Sequence, residues 1–319
     1  MSTHARSEVV PETLAGYRLD QALAQMFPEF SRSRLTEWLK RGDVTMDGVA
    51  CKPRTRVAGG ERIEVRAEEA PDPRVEPQDV DFAVAWQDDA VIVVNKPAGL
   101  VVHPGAGNAD GTLQNGLLFR YPELAELPRA GLVHRIDKDT SGLLLVARTL
   151  TAHTALVRQL AEHEISREYR AICHGVLTGG GSVDAPIGRH PTDRLRMAVR
   201  DGGREAVTHY RLIERFAHHT LVQVMLETGR THQVRVHFAH LRHPLVGDPV
   251  YGGRRRRPPG NDTVLIEALE GFQRQALHAA RLEFTHPKSG ETVSVHADDP
   301  DDFAHLISVL QAHAIREAS

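Results

Sequence analysis

Residues 131–147 constrain this chain more than any other stretch. Gly131-Leu132-Val133 is an apolar β-type run that feeds the polar turn His134-Arg135-Ile136-Asp137-Lys138-Asp139-Thr140-Ser141-Gly142. A second apolar run, Leu143-Leu144-Leu145-Val146-Ala147, leaves the turn and is too apolar to be solvated. Buried strands place their chemistry on connecting loops, where polar side chains can face a substrate. Asp137 is expected at the end of the first strand, beside Arg135 and, if protonated, His134. Neighbouring cations keep a carboxylate ionised, and an ionised carboxylate is a nucleophile.

Three other readings fit the turn. Asp137-Lys138-Asp139-Thr140-Ser141-Gly142 opens like a calcium loop, but such a loop needs Glu at its twelfth position, where Arg148 stands. It also resembles the Asp-x-Asp-x-Thr start of a dehalogenase-type phosphatase, with Ser141 in place of Thr. By itself it could be an ordinary turn, with Asp and Ser capping backbone groups. His237, His240 and His243 recur at three-residue steps. No Cys or carboxylate lies in phase with them, so a metal site is not expected.

The chain has 319 residues, enough for two domains. Its net charge of −3 rules out a global basic excess, so a nucleic-acid contact must be a local patch. Two cysteines, Cys51 and Cys173, do not make a disulfide framework, which fits a reducing cytoplasm. No stretch approaches the ~20 apolar residues of a membrane span. The N-terminus lacks the apolar core of a signal peptide.

Residues 1–16 read as a tail with a possible edge strand. From Tyr17 the period turns helical, with Leu19, Leu23 and Phe27 on one face. Ser31 reads as the N-cap of a second helix carrying Leu35, Trp38 and Leu39. Val44-Thr45-Met46, the Asp47-Gly48 turn and Val49 read as a hairpin, and Ile63-Glu64-Val65 as a strand. Between residues 30 and 66 nine Lys or Arg face five Asp or Glu, a local surplus of four positive charges. Arg32, Arg34, Lys40, Arg41, Lys52, Arg54 and Arg56 could follow a phosphate backbone. Residues 67–81, with Pro71, Pro73 and Pro77, read as a linker.

Beyond it the pattern predicts helices near 112–120, 152–164 and 263–270, and one from Asp302. Strands are expected near 91–95, 166–175, 206–214, 220–227, 232–238, 280–285 and 291–296, with Gly- and Arg-rich loops over 176–205. Mostly strands with interspersed helices indicate an α+β domain around a mostly antiparallel mixed sheet.

Three motifs give this pattern a family. His134-Arg135-Ile136-Asp137-x-x-Thr140-Ser141-Gly142 resembles the signature of the RluA family of pseudouridine synthases, with Ile136 for Leu. Ser166-Arg167-Glu168-Tyr169 resembles the family's second motif, and Gly229-Arg230-Thr231-His232-Gln233-Val234-Arg235 its third. Asn95-Lys96-Pro97 with Val102-His103-Pro104, His243-Pro244-Leu245-Val246-Gly247-Asp248 and Gln275-Ala276-Leu277-His278-Ala279 are further family phrases, and Gly247-Asp248-Pro249-Val250-Tyr251-Gly252-Gly253 resembles one branch of the family. Residues 17–75 resemble an S4 RNA-binding module, on Arg18-Leu19-Asp20, Ser31-Arg32-Ser33-Arg34, Gly42-Asp43-Val44 and Asp47-Gly48. The implied division is a tail (1–16), a small α/β S4 domain (17–75) and a pseudouridine synthase catalytic domain (76–319).

The resemblance implies isomerisation of uridine to pseudouridine. The glycosidic bond from N1 breaks, the uracil turns, and C5 joins the ribose. Nothing is oxidised and no group is donated, so no cofactor is required. The target is inaccessible in a stacked strand and must be flipped out. Asp137 is implied to act at C1′ or to draw a proton from C2′. Arg235, read on a strand, would hold it with a fixed donor fork. Tyr169 would stack on the uracil, as an aromatic face does without reading sequence. Arg135 would fill the gap left by the flipped base. His134, Thr140, Arg230 and His232 complete the expected substrate-binding set. The expected partner is large-subunit ribosomal RNA within a pre-ribosomal particle, met by a cytoplasmic monomer. A non-catalytic RNA-binding assembly factor with a synthase fold is the alternative, disfavoured by intact Asp137, Tyr169 and Arg235.

Overall fold

In the computed structural model the chain forms two compact units, Met1–Arg74 and Val75–Ser319. The structure describes residues 3–27, 32–68, 75–105, 107–193, 196–253 and 262–318. Among these, no helix is long and apolar enough to cross a membrane.

The small unit runs β1 (Thr3–Val9), α1 (Leu19–Met26), α2 (Arg32–Arg41), β2 (Val44–Met46), β3 (Val49–Ala50) and β4 (Arg62–Glu68). Its four strands form one sheet in the order β1-β4-β2-β3. Leu19, Leu23 and Phe27 of the first helical stretch are buried, as the period predicts, against Leu35, Trp38 and Leu39. Asp47 and Gly48 both have positive φ, the conformation of a tight hairpin turn that matches strand twist. Residues 1–16 are more than a tail: β1 pairs with β4 from Thr3↔Glu68 to Val9↔Arg62, and Val10 and Leu14 enter the core. The proposed N-cap Ser31 lies outside the described residues.

The large unit begins earlier than the proline-rich stretch suggests. Gln78 N–H donates to Asn115 O, and Asn115 Nδ2 donates to Glu76 O, so residues 75–78 are packed down, not a spacer. Its elements in order are β5 (Ala83–Gln87), β6 (Val91–Lys96), α3 (Leu113–Arg120), β7 (Ser141–Ala147), α4 (Leu150–Ala161), β8 (Ser166–His174), β9 (Gly181–Asp184), β10 (Ile187–Arg189) and β11 (Met197–Val199). There follow β12 (Val207–Arg215), β13 (His219–Leu226), α5 (Gln233–His240), α6 (Thr263–Gly271), β14 (Leu277–Thr285), β15 (Thr292–His296) and α7 (Asp301–Ala318). Nine strands make one sheet, ordered β5-β6-β7-β14-β8-β13-β12-β9 with β15 also on β14; only β7 and β14 run parallel. The mostly antiparallel mixed sheet expected from the sequence is present.

Alternation sets the two faces. Ile92, Val94, Leu144, Val146, Tyr169, Ala171 and Cys173 pack on one side with α3 and α5. Val91, Val93, Leu143, Leu145 and Ala147 pack on the other with α4. A sheet covered on both faces needs continuous apolar strands, which is why β6 and β7 read as unbroken runs. Short strands β9 to β11 occupy the region expected to be loop.

The apolar run before the turn is not a regular strand. Pro128–Gly131 is a tight turn in which Arg129, Ala130 and Gly131 all hold positive φ, and Leu132 alone bridges to Val146. The reason lies in β7. β14 pairs with β7 only at Ser141 and Gly142, leaving the rest of that edge open. Residues 131–134 fill it: Gly131 comes so close that a Cβ would sit 2.0 Å from Ala147 O. His134 Nε2 accepts the Leu145 N–H at 3.0 Å, closing the edge.

Candidate active site

Asp137 lines a cleft of about 780 Å³, a normal size for a small-ligand site. Arg129, Arg135, Arg167, Arg230 and Arg235 line it against only Asp137 and Glu227, so a chain of net negative charge presents a cationic cavity. Asp137 Oδ2 accepts from Arg235 Nη1 at 3.0 Å. Its other oxygen, Oδ1, faces His232 Nε2 at 4.0 Å.

Arg235 does not give its fork to Asp137. Nε and Nη2 donate to the two oxygens of Asp248 at 2.7 and 2.9 Å, and the remaining Nη1 reaches Asp137. Asp248 Oδ1 also accepts from the backbone N–H of Val250 and Tyr251. Burial alone would lower the Arg235 pKa, but the Asp248 bonds and charge, then Asp137, outweigh it and raise it. Burial opposes ionisation of Asp248, and Arg235 with the two backbone donors nevertheless holds it below the usual carboxylate range. Asp137 is thus served by a cation that is itself fixed from behind.

Tyr169, on β8, is 7% exposed and lines the same cleft. Burial, with Asp137 adding and Arg167 opposing, raises its pKa, so the phenol stays protonated at neutral pH. Asp137, Tyr169 and Arg235, far apart in sequence, meet here.

The family described as RNA pseudouridylate synthase matches residues 90–240. The ribosomal large subunit pseudouridine synthase D of Xanthomonas campestris pv. campestris is 55% identical over 100% of this chain and 96% of its own length. That of Escherichia coli K12 is 53% identical over 95% of this chain and 93% of its own. A solved structure of human RNA pseudouridylate synthase domain containing 1 superposes with a TM-score of 0.54 at 28% identity, covering 70% of this chain and 85% of the human one.

The chain belongs to the RluA family of pseudouridine synthases.

In this synthase the Asp137 loop is held residue by residue. Asp137 O accepts from Thr140 N. Lys138 O accepts from Gly99 N and from Lys96 Nζ at 2.8 Å. Lys96 is fully buried and spends its other donors on Pro97 O and Leu100 O. Burial pushes its pKa down to about 7, with the charges of Asp139 and Asp137 opposing. Arg274 Nη1 donates to Asp139 O, Gln275 Nε2 to Thr140 Oγ1, and Ser141 Oγ pairs with His278 Nδ1. Gly142, at φ 108°, lies where a Cβ would be 2.2 Å from Ala279 O. Lys96, Asp248, Tyr251 and Gln275 were visible in the sequence only as family phrases, because nothing local assigns a partner to them.

The expected substrate-binding residues divide. Arg135 is exposed in the cleft wall and, among the described residues, makes no hydrogen bond or ion pair. Arg230 also lines the cleft, while its Nε donates to Glu205 O. Thr140 is 1% exposed and its hydroxyl accepts from Gln275, so its work is to hold the loop. His134 is not a cation beside Asp137: burial, with Arg167 nearby, pushes its pKa down to about 3, and its Nε2 is committed to Leu145 N–H. His237 spends both ring nitrogens, on Thr208 Oγ1 and Ala185 O, so the three-residue histidine series does not converge as a ligand set.

The strand expected over 232–238 is a helix. Val-x-Val alternation mimics a strand, but residues 233–238 are all buried, and burial overrides β propensity. Gln233 anchors its start, accepting from Thr228 Oγ1 and Arg230 N and donating to Val207 O and Thr208 Oγ1. On a strand His232 and Arg235 would face opposite ways; one helical turn apart, both reach Asp137.

Two histidines held neutral, the part-buried His134 and the buried His219, make stability pH-dependent. His134 and His219 have folded pKa values of about 3 against 6.5 when free; at His219 burial is reinforced by His174, His218 and His313. Below about pH 6.5 the unfolded chain takes up protons that the folded chain refuses until near pH 3, so stability falls with acid across that window. Each ring should cost on the order of 2 kcal/mol between pH 7 and pH 5. Denaturant midpoints should drop over that range, and less so in His219→Gln. Midpoints that do not move would show the rings titrate normally.

Proposed function

We propose that this synthase isomerises uridines of large-subunit ribosomal RNA, with Asp137 as the carboxylate acting on the ribose. The 3.0 Å Asp137–Arg235 pair in an arginine-lined cleft carries this reading. Attack at C1′ and proton removal from C2′ both use a carboxylate oxygen, and the fixed guanidinium holds that carboxylate in place. The N1–C1′ bond breaks, the base turns over Tyr169 and a C5–C1′ bond forms; N1 gains a proton and C5 loses one, so the product is an isomer of the substrate. Arg135, unpaired and exposed, fills the gap in the stack. The names of the similar bacterial synthases support ribosomal RNA as substrate. We infer a monomer working in the cytoplasm on a pre-ribosomal particle.

Tritium release from C5-labelled uridine in a large-subunit ribosomal RNA transcript tests the reading, and sequencing then maps the product. Release without product at defined positions, or none at all, would overturn it and favour a binding factor.

We also propose that the small unit is an S4-type RNA-binding domain. The side chains of Arg32 and Arg34 lie outside the described residues. Arg41 is paired with Asp43, and Arg56 donates to Gly16 O at 2.6 Å, so these two have other work. Lys40, Lys52 and Arg54 are exposed without a partner among the described residues. Replacing all three by Ala should reduce the slope of log affinity against log salt by about one unit for each phosphate that is no longer neutralised. An unchanged slope would assign RNA selection to the arginine-rich 189–204 region, of which 194–195 lie outside the described residues, or to 254–257, likewise outside them.

A further inference from the structure

Beside the Asp137–Arg235 pair stands a second, indirect relay of hydrogen bonds. His232 Nδ1 and the Tyr251 hydroxyl are 2.8 Å apart. The same hydroxyl accepts the Met197 N–H at 2.8 Å. A phenol has one proton to donate. Tyr251 is only 7% exposed, and among the described residues its hydroxyl has no acceptor other than His232 Nδ1. Donation to Nδ1 leaves the proton of a neutral imidazole on Nε2, the nitrogen facing Asp137 Oδ1. The opposite tautomer would strand the Tyr251 proton and point a lone pair at a carboxylate. Burial keeps the ring neutral, Arg235 and Arg135 adding to this while Asp137 and Asp248 oppose it. His232 also holds a left-handed backbone, φ 59°, a conformation uncommon outside glycine and enriched at functional positions. Tyr251 supports the other side of the pair as well: its ring lies under the Arg235 guanidinium at 5.1 Å.

We propose that Tyr251 is a positioning residue of this synthase, whose hydroxyl fixes His232 with its proton on Nε2 so that an N–H donor faces the free oxygen of Asp137. Arg235 holds one carboxylate oxygen and the His232 N–H orients the other toward the ribose. The 4.0 Å separation exceeds a hydrogen bond, so the N–H acts on Oδ1 through its field and closes on it as substrate fills the cleft. The proposal rests on the assignment of Asp137 as the acting carboxylate.

The test is a double-mutant cycle in the full chain, read by single-turnover isomerisation of a ribosomal RNA hairpin. Tyr251→Phe keeps the ring under Arg235 and removes only the hydroxyl. It should lower the rate at saturating enzyme by about 10- to 100-fold, the usual loss when an orienting partner of a site side chain is removed, with RNA affinity unchanged. His232→Asn tolerates the left-handed backbone and is too short to reach Asp137. In that background Tyr251→Phe should cost nothing further. Nitrogen NMR of histidine-labelled protein should show a ring protonated on Nε2 that vanishes in His232→Asn and becomes a tautomer mixture in Tyr251→Phe. Equal losses from Tyr251→Phe in both backgrounds, or an unchanged rate, would overturn the proposal. Asp137→Asn is measured alongside: if it turns over, the assignment of Asp137 fails instead.

Discussion

Replacing Asp137 by Ala should abolish isomerisation while leaving both the fold and RNA binding largely intact. On the role proposed for Asp137, a carboxylate that makes a bond or takes a proton, the rate should fall by at least about 10⁴-fold. The fold should survive because Arg235 keeps its two bonds to Asp248. Removing Asp137 frees only Nη1, which faces the cleft, so no buried charge is left uncompensated. Binding should survive because the arginines of the cleft wall are untouched. Tritium release and filter binding on one hairpin check both halves. Turnover in purified Asp137→Ala would end the assignment, and a large fall in melting temperature would show that the carboxylate is also structural.

Arg235 should differ from Asp137 in what its loss does to stability. Arg235→Met leaves Asp248, whose side chain is 0% exposed, with its carboxylate unpaired except for two backbone donors. Breaking a buried pair from one side costs about 3–5 kcal/mol, so this variant should be both inactive and clearly destabilised. The double replacement Arg235→Met with Asp248→Leu removes both charges. It should recover part of the stability, since no unpaired buried charge remains although the Val250 and Tyr251 N–H groups lose their acceptor, yet stay inactive. Denaturant midpoints and isomerisation rates of the two variants separate the roles. If the double variant regained activity, Arg235 would be scaffolding only; if the single variant kept full stability, Asp248 would not depend on it.

Periodicity and local chemistry made much of this protein legible. Leu19, Leu23 and Phe27 specify a buried helical face, and unbroken apolar runs at 91–94 and 143–147 specify strands covered on both sides, because those patterns follow from the repeat of the backbone itself. The Asp137 loop, Tyr169 and Arg235 were identifiable because their motif spacings resemble a known family. Partnership was not legible. That His134 is neutral follows from an edge that exists only because β14 parts from β7 after Gly142. That Arg41 and Arg56 are spent on Asp43 and Gly16 O follows from local packing, not composition.

The largest difference is at residues 232–238. Val234-Arg235-Val236 reads with period two, and the sequence alone supports a strand. Burial of the whole segment, with Gln233 satisfying four backbone and hydroxyl groups around its start, makes it a helix instead. That change decides the site, since it turns His232 and Arg235 to the same carboxylate and brings Arg235 within reach of Asp248. The sequence by itself determined which residue types the reaction has at its disposal. Tertiary structure alone decided which of them touch, because a charge finds its partner across the fold, by burial and geometry that no local pattern encodes.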